Sequence, residues 1–95
     1  MKAALLLRER LVLASDTFAE LVVWRVPHPI SGSVHSFKYR LALVVEERCV
    51  LRYDNEAGRG DHRHVGADEQ PVAFTSIDEL LAAFWLDVAA WRKPE

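Results

Sequence analysis

Residues 52 to 64 read Arg-Tyr-Asp-Asn-Glu-Ala-Gly-Arg-Gly-Asp-His-Arg-His, the stretch in which proton-transfer groups, cations and turn-forming glycines crowd together. The imidazoles of His62 and His64 can give and take protons near neutral pH, and Asp54 and Asp61 can orient or activate them. Arg52, Arg59 and Arg63 can hold an anion. This inventory suits a phosphodiester: one imidazole takes the proton of a ribose 2′-hydroxyl, another group protonates the leaving 5′-oxygen, and cations stabilise the added charge. Two surface histidines on an edge strand would read the same way. So would part of a metal site, since His-x-His on a strand offers two imidazole ligands and Asp54, Asp61 or Glu56 a third. The sequence closes no ligand set, and the favoured reading is catalysis by His62, His64, Asp54 and Asp61 without a metal.

Such groups need strands to position them. From Phe37 to Val45, Phe37, Tyr39, Leu41, Leu43 and Val45 alternate with Lys38, Arg40, Ala42 and Val44, so one face is apolar and the other begins cationic. Glu46-Glu47-Arg48 is expected to turn the chain, and Cys49 to Tyr53 to return with Cys49, Leu51 and Tyr53 on one side and Val50, Arg52 and Asp54 on the other. In that hairpin Lys38 or Arg40 falls opposite or diagonal to Arg52 or Asp54. Lys38, Arg40 and Arg52 are therefore candidate phosphate contacts; the alternative is a solvated charged face with Asp54 and Glu56 as ion-pair partners. Tyr53 either stacks on a base or lies in the core with its hydroxyl at the rim. Asn55 either bonds substrate or starts the turn. Gly58-Arg59-Gly60 permits a sharp turn before His62. If His62-Arg63-His64 is extended, the two rings share a face about 6.6 Å apart at the backbone, with Arg63 behind.

The flanking segments complete the expected frame. Ala3–Leu7 and Leu11–Leu13 suggest a short hairpin about Arg8-Glu9-Arg10, and Asp16–Val26 a long strand ended by Pro27-His28-Pro29. The stretch 27–36 reads as a loop that leaves His28 and His35 in solvent, and 66–71 as a polar loop. Ser76-Ile-Asp-Glu79 matches a capping box ahead of an amphipathic helix. Ile77, Leu80, Leu81, Phe84, Val88 and Trp91 form its apolar stripe, with Asp78, Glu79 and Asp87 outside it and Pro94 at its end. Trp24, Trp85 and Trp91 fit core or partner-facing positions better than nucleic-acid platforms. The expected fold is α+β: a small antiparallel sheet of about four to six strands packed with one C-terminal amphipathic helix.

With 95 residues the chain fits one domain, 1–95. Its formal net charge of −2 does not announce nucleic acid. The distribution differs from the average, because residues 1–67 carry ten Lys/Arg against eight Asp/Glu, and 68–95 carry two against six. Nine of the twelve basic residues are arginine, the side chain suited to forked binding of phosphate, so a local cationic surface can hide in a neutral mean. The single cysteine, Cys49, excludes an internal disulfide and is expected to be a buried thiol. It points to a reducing, cytoplasmic setting. The apolar opening is too soon interrupted by Arg8, Glu9 and Arg10 for a signal segment, and no run is long enough to span a membrane. P-loop, zincin and serine-hydrolase motifs are absent from the sequence.

Three segments carry a family likeness: Phe37-Lys-Tyr-Arg-Leu-Ala-Leu-Val-Val45, the block from Val50 to His64, and Phe74-Thr-Ser with Leu80-Leu-Ala-Ala-Phe-Trp85. On these the chain resembles the TumE family of type II toxin–antitoxin toxins, with the block from Tyr53 to His64 the most specific part. The resemblance implies a small toxin of ribonuclease type, made with an antitoxin that carries a helix-turn-helix DNA-binding domain. It assigns no roles to single residues, so those roles rest on chemistry. The leading expectation is an RNA-cleaving toxin using the four catalytic candidates, with Lys38, Arg40, Arg52, Tyr53, Asn55, Arg59 and Arg63 on the substrate. The alternatives are a non-enzymatic module that binds RNA or an antitoxin, and a metal-dependent phosphodiesterase. RNA, the antitoxin and a second copy of the chain are the expected partners, and no membrane is among them.

Overall fold

The structure is a computed structural model that describes residues 2–56 and 58–91. Pro94, expected to end the helix, lies outside the described residues. Six strands form one antiparallel sheet in chain order: β1 (Ala4–Ala14), β2 (Thr17–Arg25), β3 (Phe37–Val45), β4 (Arg48–Asp54), β5 (His62–Val65) and β6 (Asp68–Pro71). Among the described residues a single helix, α1 (Ile77–Trp91), follows. The α+β expectation holds at the upper end of its strand count.

Three elements differ from expectation. Ala4 to Ala14 is one continuous strand rather than a hairpin, because Arg8-Glu9-Arg10 holds no turn residue and pairs across to Val22, Leu21 and Glu20. Register shifts between Leu5 and Leu7 and between Val12 and Ala14 absorb the irregular hydrophobic spacing. The polar stretch 66–71 holds a short strand, β6, paired with β5. Arg48 belongs to β4, and the turn is made by Glu46 and Glu47 alone, at φ 49° and 66°. Two positive torsions in a two-residue loop are the type I′ geometry, whose twist matches the flanking strands.

Period two then sorts the side chains. Ala19, Leu21 and Val23 of β2, Tyr39, Leu41 and Leu43 of β3, and Leu51 and Tyr53 of β4 are buried on one face. The helix lies against that face through Leu80, Phe84 and Val88, one turn apart on a single stripe. The Phe84 ring meets Tyr53 edge-on at 5.8 Å. Ser76 Oγ accepts the Glu79 N–H at 3.1 Å, and Asp78 and Glu79 lie at the positive end of the helix dipole. Trp91, assigned to the stripe from spacing, is exposed. Asp87, assigned outside it, is half-buried and takes hydrogen bonds from Tyr53 Oη and Arg63 Nε. Among the described residues no helix is long and apolar enough to cross a membrane.

Among the described residues no helix lies over the other face of the sheet, and Cys49 is found there. A register shift after Leu43 pairs Val44 with Cys49, so the thiol joins the face of Val44 and is exposed, not buried. A bulge of this kind inverts alternation on one side of it, which sequence parity does not reveal.

Candidate functional site

The open face gathers most of the residues singled out for chemistry. Register pairs Arg40 with Asp54, Asp54 with His62 and Arg52 with His64, across three adjacent strands. Paired residues share a face, so all five project from the side opposite the helix. Arg52 Nε lies 2.9 Å from Asp54 Oδ2, and His62 Nε2 lies 2.6 Å from Asp54 Oδ1. The two imidazoles meet edge to face with centroids 4.8 Å apart.

Each ring is held differently. His62 is 4% exposed, and its Nδ1 faces the Gly60 carbonyl oxygen at 2.8 Å. A carbonyl only accepts, so Nδ1 carries the hydrogen and Nε2 is directed at Asp54. His64 Nε2 lies 3.0 Å from Glu69 Oε2, on the neighbouring strand, and Glu69 is itself paired with Arg59. Asp54 Oδ1, His62 Nε2 and His64 Nε2 are buried and close together, yet none has an aligned hydrogen bond among the described residues. Burial, then the nearby Arg52 guanidinium, holds the His64 pKa below the ordinary histidine value, against the opposing pull of Glu69. The shift favours the neutral ring.

Beside this group runs a cleft of about 440 Å³ lined by Ile30, Lys38, Arg40, Arg52, Asp54 and Glu56. Arg52 and Asp54 belong to both, standing on β4 between the cationic wall from β3 and the imidazoles on β5. Lys38 and Arg40 are exposed. The proximity expected of Lys38, Arg40 and Arg52 is present.

Of the five remaining candidates, four lie elsewhere and Arg59 stands at the edge. Asp61 precedes His62, so its carboxylate falls on the opposite side, where it accepts from Ser33 Oγ at 2.7 Å, His35 Nε2 at 2.6 Å and Tyr39 Oη at 2.7 Å. Burial would raise its pKa, but these three donors outweigh it and hold the carboxyl below its ordinary value. Burial and the same carboxylate push the Tyr39 phenol up. Asn55 is fully buried and cross-links the loop: its Oδ1 accepts Tyr39 N–H at 3.0 Å and its Nδ2 donates to Phe37 O at 2.7 Å. Tyr53 and Arg63 both bind Asp87 on the helix side, away from the cleft. Arg59 stands at the edge, engaged with Glu69 beside His62.

Sequence reading placed His35 in solvent and missed three further participants. The His35 side chain is only 10% exposed, and its ring stacks on Phe74 at 3.7 Å. Its Nδ1 accepts Phe37 N–H at 3.2 Å, which leaves Nε2–H for Asp61. A loop without hydrophobic periodicity gives no sign of such docking. Glu69, Ser33 and Asp87 also take part, and of these only Glu69 has a sequence signal, because a strand over 68–71 paired with β5 sets it beside His64.

No curated protein and no solved structure matches the chain. The family comparison is decisive instead, because the model described as Toxin TumE matches residues 2–92, nearly the whole chain and every strand of the site. The protein belongs to the TumE toxin family.

Proposed function

We propose that this toxin acts on RNA, cleaving a phosphodiester at the junction of the cationic cleft and the His62–His64 pair. The observation that carries this reading is the register that sets Arg40, Asp54 and His62, and next to them Arg52 and His64, side by side on the uncovered face. Lys38, Arg40 and Arg52 bind the scissile phosphate and stabilise charge that develops on its oxygens. His64, neutral and the more exposed of the two rings, takes the ribose 2′-hydroxyl proton. The 2′-oxygen attacks phosphorus, the bond to the 5′-oxygen breaks, and a proton shared across the His62–Asp54 contact passes to the leaving oxygen.

A toxin of such a family has an antitoxin as its partner. In this reading the system is type II, the antitoxin carries a helix-turn-helix domain, and its acidic side chains cover the cleft and block RNA.

Inducing the wild type, His64→Ala and Arg40→Ala without antitoxin tests the proposal, with circular dichroism to establish folding and purified protein assayed on RNA. Both variants should lose growth arrest and cutting. Arrest that persists in folded His64→Ala but not in Arg40→Ala would replace cleavage with a binding function. Arrest unchanged in both would remove this face from the toxic activity.

A further inference from the structure

We infer that Asp54, His62 and His64 bind one divalent transition-metal ion, with zinc the best chemical match. The ion concerns the same face as the RNA reading, but its binding does not depend on RNA being the substrate.

Each residue offers one ligand atom, and these atoms lie within 4.8 Å of one another. Asp54 Oδ1, His62 Nε2 and His64 Nε2, with Arg52 Nε beside them, are buried in close ion-pair contacts but without aligned hydrogen bonds, an arrangement that a metal ion on the first three would satisfy better. The His62 ring is oriented for this role. With its Nδ1–H committed to the Gly60 carbonyl, the ring turns Nε2 toward a carboxylate oxygen at 2.6 Å, the nitrogen that a metal ion would take once its proton is displaced. Two bare acceptors cannot bond each other, so a cation must join them, either a proton on Nε2, as in the acid–base reading, or a metal ion that displaces it. A backbone carbonyl holding the distal nitrogen is also the usual outer support of a metal-binding histidine.

Two imidazoles and one carboxylate favour zinc or its neighbours over magnesium and calcium, which prefer all-oxygen sites. At about 2.0–2.1 Å from the ion, tetrahedral zinc ligands stand about 3.3 Å apart. The 2.6 Å His62–Asp54 pair must open and the wider pairs close, by distances that small side-chain rotations cover. Glu69 Oε2, 3.0 Å from His64 Nε2 and 3.7 Å from His62 Nε2, borders the position and adds negative charge.

An ion there takes the Nε2 lone pairs of both rings. Metal loading and proton transfer by His64 are therefore mutually exclusive, and zinc should suppress cutting by the acid–base route.

Untagged protein, stripped with chelator, is titrated with zinc alone in a calorimeter and with cobalt alone in a spectrophotometer. The wild type should take up one zinc ion, gain visible cobalt absorption bands of imidazole coordination, and melt at a higher temperature. His64→Gln and Asp54→Asn, each checked for folding, should bind at least tenfold more weakly and lose the bands. Absence of uptake by the wild type, or undiminished uptake by both folded variants, overturns the site. RNA cleavage is read separately on the same samples. Zinc uptake with no cutting in either state would end the RNA reading and leave the site standing; cutting without zinc uptake would do the reverse.

Discussion

Arg40 and Arg52 both line the cleft but are held differently: Arg52 is tied to Asp54, whereas Arg40 is exposed at its rim. Arg40 is thus the free hand for phosphate, and Arg52 also fixes the carboxylate that faces His62. Arg40→Ala should weaken binding of a single-stranded RNA and lower the slope of log K against log salt by about 0.7, the value for one lost phosphate contact. Fluorescence anisotropy at several salt concentrations measures it; an unchanged slope would take Arg40 off the phosphate. Asp61 makes the contrasting prediction, being a site candidate that the structure turns into an anchor. Asp61→Asn should cost about 1–3 kcal/mol, because it removes a buried charge from three donors. The sign with pH follows from the depressed pKa. The native state resists protonation more than the unfolded chain, so the stabilisation is complete above the ordinary value of 3.8 and is lost as pH falls through the native value. Urea unfolding of wild type and Asp61→Asn at neutral and acid pH should therefore show a gap that narrows in acid.

At the scale of elements, the loop over residues 27–36 is fastened backbone to backbone on the glycine turn before β5. Gly58 N–H donates to Ser31 O at 2.6 Å, and a Cβ on Gly32 would come within 2.7 Å of Gly60 N. Gly32 also sits at φ +95°, where a side chain is strained even in open space. Gly66 offers a control: φ is +58° but nothing lies within 4 Å of its would-be Cβ. Gly66→Ala should cost about 1 kcal/mol and Gly32→Ala more, about 2–3 kcal/mol, since the second adds a clash to the torsional strain. Equal losses in chemical unfolding would mean that the loop does not press on the turn. These elements also mark where the sequence was legible. Alternation in β3, in β4 beyond its bulge and in β5 marked the cationic face and the side-by-side imidazoles, because period two needs no tertiary knowledge. The continuity of β1 left only the lack of a turn residue at Arg8-Glu9-Arg10 as a sign, whereas the bulge that exposes Cys49 and the docking of His35 depend on pairing partners and on the loop–turn contact, neither of which leaves a local pattern. Alternation also bears on Asp61, whose odd position next to His62 sets its carboxylate on the other side of the sheet.

The whole molecule is a sheet with two unlike faces, one carrying the fold and the other the candidate chemistry. Phe84, with no exposed surface, packs the helix onto Tyr53 and the apolar strand positions, and Arg63 and Asp87 fasten the same side. The open face instead keeps charged groups and imidazoles together over the backs of the same strands, where burial of His62 is obtained without a covering helix. This division predicts that stability and toxicity respond to different substitutions. Phe84→Ala should lower the unfolding free energy by about 3–5 kcal/mol, the cost of emptying a large core position, and should reduce toxicity only as the amount of folded protein falls. Arg40→Ala should shift stability by no more than about 0.5 kcal/mol, as expected for an exposed side chain, while toxicity per folded molecule drops. Unfolding curves combined with growth arrest normalised to folded protein separate the two effects. If Arg40→Ala unfolded the protein as readily as Phe84→Ala, the cationic wall would be part of the scaffold, and its exposure on the uncovered face would no longer argue for a ligand.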